Sequence, residues 1–163
     1  MTPADRARVE AQQAELLRAL IRGEDYPVGF DPGKAAAAGR SLRRKRARMV
    51  AGAWPALKIG LGESYDARFD AFARTAPPPQ HGFGYTDGLA FARTLGDDEL
   101  TDDMRVELLL ARAVIAGPPR APRQRRGVFV GAVILRAPRR LLIVHRTPRL
   151  GRRVHVLALG RGR

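Results

Sequence analysis

Apolar residues recur at helical spacing through the first two thirds of the chain, and the pattern shifts to short β-branched runs only near the end. Residues 2–22 read as one helix. Thr2 is a capping residue, Pro3 suits the first helical position, and Val9, Leu16, Leu17, Leu20 and Ile21 fall along one stripe before Gly23. The segment GEDYPVGFDPGK, rich in Gly, Pro and Asp, interrupts the pattern. Helical spacing resumes over residues 35–53, with Leu42, Met49, Val50, Ala53 and Trp54 assigned to one face and Arg43, Arg44, Lys45, Arg46 and Arg48 to the other.

Pro55 has no N–H to donate and steers Trp54 out of the α region, so this helix ends there and a short new turn begins, with Trp54 as a corner residue. Gly60 and Gly62 permit a change of direction, after which Tyr65, Phe69, Phe72 and Ala73 form the stripe of the next helix, stopped by Pro77–Pro79. A shorter helix is predicted from Thr86 or Asp87 to Leu95. Another runs from Thr101 to Ile115, with Asp102 and Asp103 in the first turn, where acidic residues are favoured. GPPRAPRQRRG reads as a linker, and VFVGAVIL, RRLLIVHR and RRVHVLAL read as two or three antiparallel strands. The expected fold is α+β and mostly α: an N-terminal multi-helix domain over residues 1–117, then a basic linker and a small antiparallel β segment over residues 118–163.

Charge changes this picture. The net charge is +14, and every acidic residue lies at or before Glu107, so the whole positive excess falls in the final third. Self-repulsion there is relieved by an acidic partner. The chain has no cysteine, hence no disulfide framework, and no apolar run approaches the roughly 20 residues that cross a bilayer. With no apolar core to its first residues either, a soluble cytoplasmic protein is expected, with no membrane partner.

Candidate chemistry is sparse. His81, His145 and His155 form no HExxH pair, and although His145 and His155 would approach in a strand hairpin, no carboxylate in that segment completes a metal site. Ser41 and Ser64 lie in no nucleophile elbow, DPGKAAAAGR and IGLGES lack the spacing of a phosphate loop, and Asp97, Asp98, Asp102 and Asp103 suit helix starts. No enzyme, metal or cofactor is expected. Two basic features remain. Arg43–Arg48 suit either phosphate contacts or a solvated helix face. The C-terminal arginines suit a nucleic acid or an acidic polypeptide, and composition leaves both open. Stacking on single strands wants aromatics, and only Phe129 lies there, whereas an extended peptide adds to an edge strand by main-chain hydrogen bonds. Arg139, Arg140, Arg146, Arg152 and Arg153 flank the predicted edge strands and are the candidate peptide contacts.

One stretch carries a resemblance. In residues 42–95, Trp54-Pro55, Leu61-Gly62-Glu63, Phe69 with Ala73, Pro77–Pro79, and Gly88 with Phe91 and Leu95 follow one another in the order and spacing of a bacterial family of peptide-modification chaperones, earlier labelled DNA-binding. The stretch also resembles uncharacterised actinobacterial proteins. It departs from the family in carrying Leu42-Arg43 where a Tyr-Arg pair is common, and in a shorter second segment. The resemblance implies a non-catalytic partner of a multinuclear non-heme iron oxygenase, in peptide natural-product (RiPP) biosynthesis. Such a partner binds an acidic precursor peptide and presents it to the enzyme that holds the iron. On that picture Trp54 and Pro55 shape a rigid helical platform for the partner.

Overall fold

Helices come first and strands last, so the chain is α+β and mostly α. The computed structural model describes residues 2–23, 26–27, 29–79, 82–117, 123–136, 139–148 and 151–158. Helix α1 (Pro3–Arg22) opens on a capping box: the Thr2 hydroxyl accepts the Asp5 N–H, and the Asp5 carboxylate accepts the Thr2 N–H at 3.1 Å. Only its end is sunk. Ala19 is buried, whereas Val9 and Leu17 of the predicted stripe are exposed, because α1 packs on its neighbours near its C-terminus.

Helix α2 (Pro32–Ala53) departs from the two-faced expectation. Its buried residues are Ala35, Gly39, Arg43, Arg46, Ala47 and Val50, while Leu42 and Met49 face solvent. The inversion has an electrostatic cause: the elements around α2 offer acceptors that only a guanidinium satisfies. Arg46 grips Asp87 with two bonds of 2.9 Å, and its Nη1 donates to the Ala76 carbonyl at 3.0 Å and the Ala73 carbonyl at 3.4 Å. Arg43 donates to Asp70 at 2.6 Å and to the Leu20 carbonyl at 3.2 Å. Each arginine therefore neutralises a carboxylate and caps the C-terminal end of another helix. Arg44, Lys45 and Arg48 remain exposed.

After Trp54, helix α3 (Pro55–Leu61) starts on proline, and a 3-10 turn (Gly62–Ser64), with Gly62 at φ 53°, redirects the chain into α4 (Tyr65–Thr75). The Trp54 side chain is buried, with its indole N–H donating to the Tyr85 carbonyl at 3.2 Å. It presses on Gly88, where any Cβ would overlap the ring. Helix α5 (Phe83–Ala92) begins earlier than Thr86 because Gly82, in the left-handed region, turns the chain. Thr86 and Asp87 resemble caps in sequence, yet both are buried in the helix, and Asp87 answers Arg46 instead. Phe69, Tyr65 and Phe91 meet edge-on or stacked at 5.3–6.0 Å to complete this core with Leu57, Val50 and Met104.

Helix α6 (Asp102–Val114), capped by Thr101, serves two cores. Met104 and Leu108 enter the helical one, and Leu109 and Ala113 meet Leu142 and Val144 of the strands. The predicted linker holds a strand: β2 (Arg123–Gln124) pairs antiparallel with β1 (Ile115–Ala116), and residues 118–122 lie outside the described part. Beside that ladder, Arg125 donates from its backbone to the Val114 carbonyl and from its Nε to the Arg112 carbonyl, at the favourable C-terminal end of α6. Strands β3 (Phe129–Leu135), β4 (Arg140–Thr147) and β5 (Gly151–Ala158) then form a meander in that order. The Asp102 carboxylate accepts the Arg136 N–H at 2.7 Å, fixing the end of β3 to the start of α6.

Arg46→Ala leaves Asp87 buried without its counter-ion, and an expected loss of about 3–5 kcal/mol follows in urea unfolding, against about 0.5 kcal/mol or less for exposed Arg44→Ala. Gly88→Ala should lower stability and blue- or red-shift the emission of the single tryptophan, since the indole must move. At Asp70, burial pushes the carboxyl up, but hydrogen bonds and charge from Arg43 and Arg74 outweigh it and hold the group below its ordinary value. A depressed carboxyl contributes stability that is complete above its unfolded value, near pH 4, and is lost as pH falls through the lower folded value. Urea midpoints should therefore drop below pH 4, with a smaller drop in Asp70→Asn.

Candidate peptide-docking sheet

Alternation along three registered strands sorts their side chains onto two faces. Toward α6 lie Gly131 and Val133 of β3, Leu142 and Val144 of β4, and Val154 and Val156 of β5. Gly131 lets the helix come close, since a Cβ there would press on the Leu109 side chain. The helix covers β3 and β4, so Leu142 and Val144 are buried while Val154 and Val156 stay about half exposed.

The opposite face is apolar and open. Its rows run Ile134–Leu141–Leu157, Ala132–Ile143–His155 and Val130–His145–Arg153. Val130 is 69%, Ile134 56% and Leu157 50% exposed, more than scattered surface residues would require. Among the described residues β5 pairs only with β4, so its outer edge presents main-chain donors and acceptors with no strand beside them.

The candidate arginines fall at the two ends of the sheet rather than in one cluster, and alternation puts Arg140 and Arg146 on the α6 side with Leu142 and Val144, while Arg153 lies on the open face with His145. Arg139 and Arg140 stand exposed at the β3–β4 end, and Arg146 and Arg153 at the β4–β5 end. From Arg140 to Arg146 the strand spans about 20 Å at its usual rise. Arg146 is half buried and its guanidinium donates to the Arg125 carbonyl, whereas Arg153 is exposed beside the histidines. Arg152 pairs through its backbone with Arg146, and its side chain lies outside the described residues. Trp54 and Pro55 belong to the helical core and its corner, a different cluster from the one that packs under the three-stranded sheet.

His145 and His155 do meet, with rings stacked at 5.1 Å and Nε2 atoms 3.0 Å apart. Among the described residues no group of three metal-ligating side chains forms, and His81 lies outside them. On α2, Arg40, Arg44 and Arg48 make an exposed stripe beside Ser41 and Asp66, one that the sequence reading assigned to a different set of positions. The open sheet face also escaped that reading. Its signal was present in RRVHVLAL, where apolar residues occupy both parities, but the same run describes a strand covered on both sides. Among the described residues, no helix is long and apolar enough to cross a membrane.

Comparison with known proteins agrees with the helical half. Residues 10–97, just over half of the chain, match the family model described as SCO6045-like, C-terminal domain. They run from α1 through α5 and stop before α6 and the sheet. A UPF0276 protein of Streptomyces avermitilis is 40% identical over 96 residues, which make up 58% of this chain but 19% of that protein. The chain thus spans about a fifth of the length of this curated relative. No solved structure matches it. The matched stretch contains both buried arginines, their carboxylate partners and the Trp54-Pro55 corner, and the chain belongs to the SCO6045-like C-terminal domain family, an uncharacterised actinobacterial group.

Proposed function

We propose that this protein is a non-catalytic partner that binds an acidic precursor peptide and presents it to an iron-dependent peptide-modifying oxygenase, the iron belonging to the enzyme. The observation that carries this reading is strand β5, whose outer edge is unpaired among the described residues, with half-exposed apolar side chains on both faces and arginines at both ends of the sheet. An extended peptide adds to such an edge through main-chain hydrogen bonds, seats its alternate apolar residues beside Val154, Val156 and Leu157, and brings its carboxylates to Arg139, Arg140 and Arg153. The absence of acidic residues beyond Glu107 supports an acidic ligand. The resemblance of residues 42–95 to partners of multinuclear iron oxygenases suggests the class of enzyme. A relative in which the matching segment is a fifth of a longer chain is in keeping with a module that works beside another domain.

A second reading rests on the Arg40, Arg44 and Arg48 stripe of α2, spaced to follow a phosphate backbone. Nucleic acid held this way would be released by salt with a logarithmic slope of about −0.9 per phosphate neutralised on duplex DNA.

Co-expression with such an oxygenase and its precursor should yield a ternary complex and efficient peptide modification. Arg153→Glu, or Arg139→Glu with Arg140→Glu, should weaken peptide capture on the order of tenfold while leaving the unfolding midpoint near that of the parent. Modification that proceeds equally well without this protein overturns the reading. Bound material that vanishes on nuclease treatment and falls steeply with salt establishes the second one instead.

A further inference from the structure

Two imidazoles on the open face of the sheet come closer than strand pairing alone requires. The register sets Ile143 beside His155 and His145 beside Arg153, so the two histidines are diagonal neighbours. Such neighbours ordinarily stand about 7–8 Å apart. Here the Nε2 atoms are 3.0 Å apart at the exposed surface, with the ring planes within 10° of parallel, so both side chains lean toward one point.

As free imidazoles the two share one hydrogen, one ring donating and the other accepting. A metal ion takes the place of that hydrogen when both rings are neutral and present an Nε2 lone pair. Metal–imidazole bonds are about 2.0–2.1 Å long, so nitrogens 3.0 Å apart subtend about 95° at an ion bonded to both. A tetrahedral ion would spread them wider. A near right angle belongs to adjacent positions of a tetragonal site, the geometry that Cu²⁺ and Ni²⁺ adopt with nitrogen and oxygen ligands.

The pair has no third ligand from the chain: among the described residues no group of three metal-ligating side chains forms, and no carboxylate follows Glu107 in the sequence. The other positions of the ion are therefore filled by water or by ligands that it brings. Charge selects between these. Arg153, exposed and directly across from His145, meets a bare dication as a like charge, but meets an ion that already bears carboxylates as a counter-ion.

We infer that His145 and His155 form a bidentate site for a late divalent transition-metal ion, nickel or copper, that arrives bearing carboxylate ligands. The site shares the open face with the peptide reading but does not rest on it.

The Ni²⁺ complex of nitrilotriacetate is the probe, since the chelator carries carboxylates and leaves two adjacent positions of the ion open. Calorimetric titration of the untagged full chain should show one complex bound per chain. His145→Ala and His155→Ala should each weaken binding by roughly tenfold or more, because each removes one of two linked bonds, with the unfolding midpoint near that of the parent. His81→Ala should leave the affinity unchanged. No saturable binding, two complexes per chain, loss of binding in His81→Ala, or the parent's affinity in either of the other two variants overturns the inference. Should His145→Ala fail to fold, His155→Ala, a truncation of an exposed side chain, decides the matter alone.

Discussion

The guanidinium of Arg46, clamped on Asp87 and on two carbonyls at the end of α4, is the contact on which the helical half depends. Removing two charges from water costs several kcal/mol for each ion, and the attraction between them offsets this only when geometry is good and remaining donors are used. Both conditions hold here. The carboxylate is gripped by a parallel pair of bonds, and the remaining nitrogen finds helix-end carbonyls that would otherwise be orphaned. Arg43 repeats the device one turn earlier, joining α2 to Asp70 of α4 and the last turn of α1. Apolar packing tolerates sliding and rotation, whereas these fans of directed bonds hold α2, α4 and α5 in one mutual arrangement.

That arrangement passes to the strands through α6. One side of the helix sends Met104 and Leu108 into the aromatic core, and the adjacent side lays Leu109 and Ala113 on Leu142 and Val144. The bond from the Arg136 N–H to Asp102 and those from Arg125 to the last turn of α6 pin the sheet near both ends of the same helix. The orientation of the sheet therefore follows from the helical core.

Among the described residues, the sheet leaves several apolar side chains exposed and the outer edge of β5 unpaired. Edges of this kind invite pairing between copies of the same chain. Here the arginines at the two ends, with no acidic residue in that third of the sequence, make such pairing a meeting of like charges. The same charge distribution would favour a ligand carrying carboxylates, as the proposed function requires.

Local chemistry in the sequence determined the main helices, the later strands and their order, though not the short β1–β2 ladder: the Thr2 and Thr101 caps, the Trp54-Pro55 break, the turn at Gly62 and the change to β-branched runs after residue 128 all act over a few residues. It also determined where the positive charge falls, since charge is counted along the chain. Only the tertiary structure decided which face of α2 turns inward. Periodicity treats arginine as a surface residue, and it cannot see that Asp70, Asp87 and the ends of α1 and α4, distant in sequence, converge on Arg43 and Arg46. The same limit hid the role of Asp87, which resembles a helix cap. It hid the open sheet face too, because an apolar run states that a strand can be covered, and whether anything covers it depends on how far α6 reaches across the sheet.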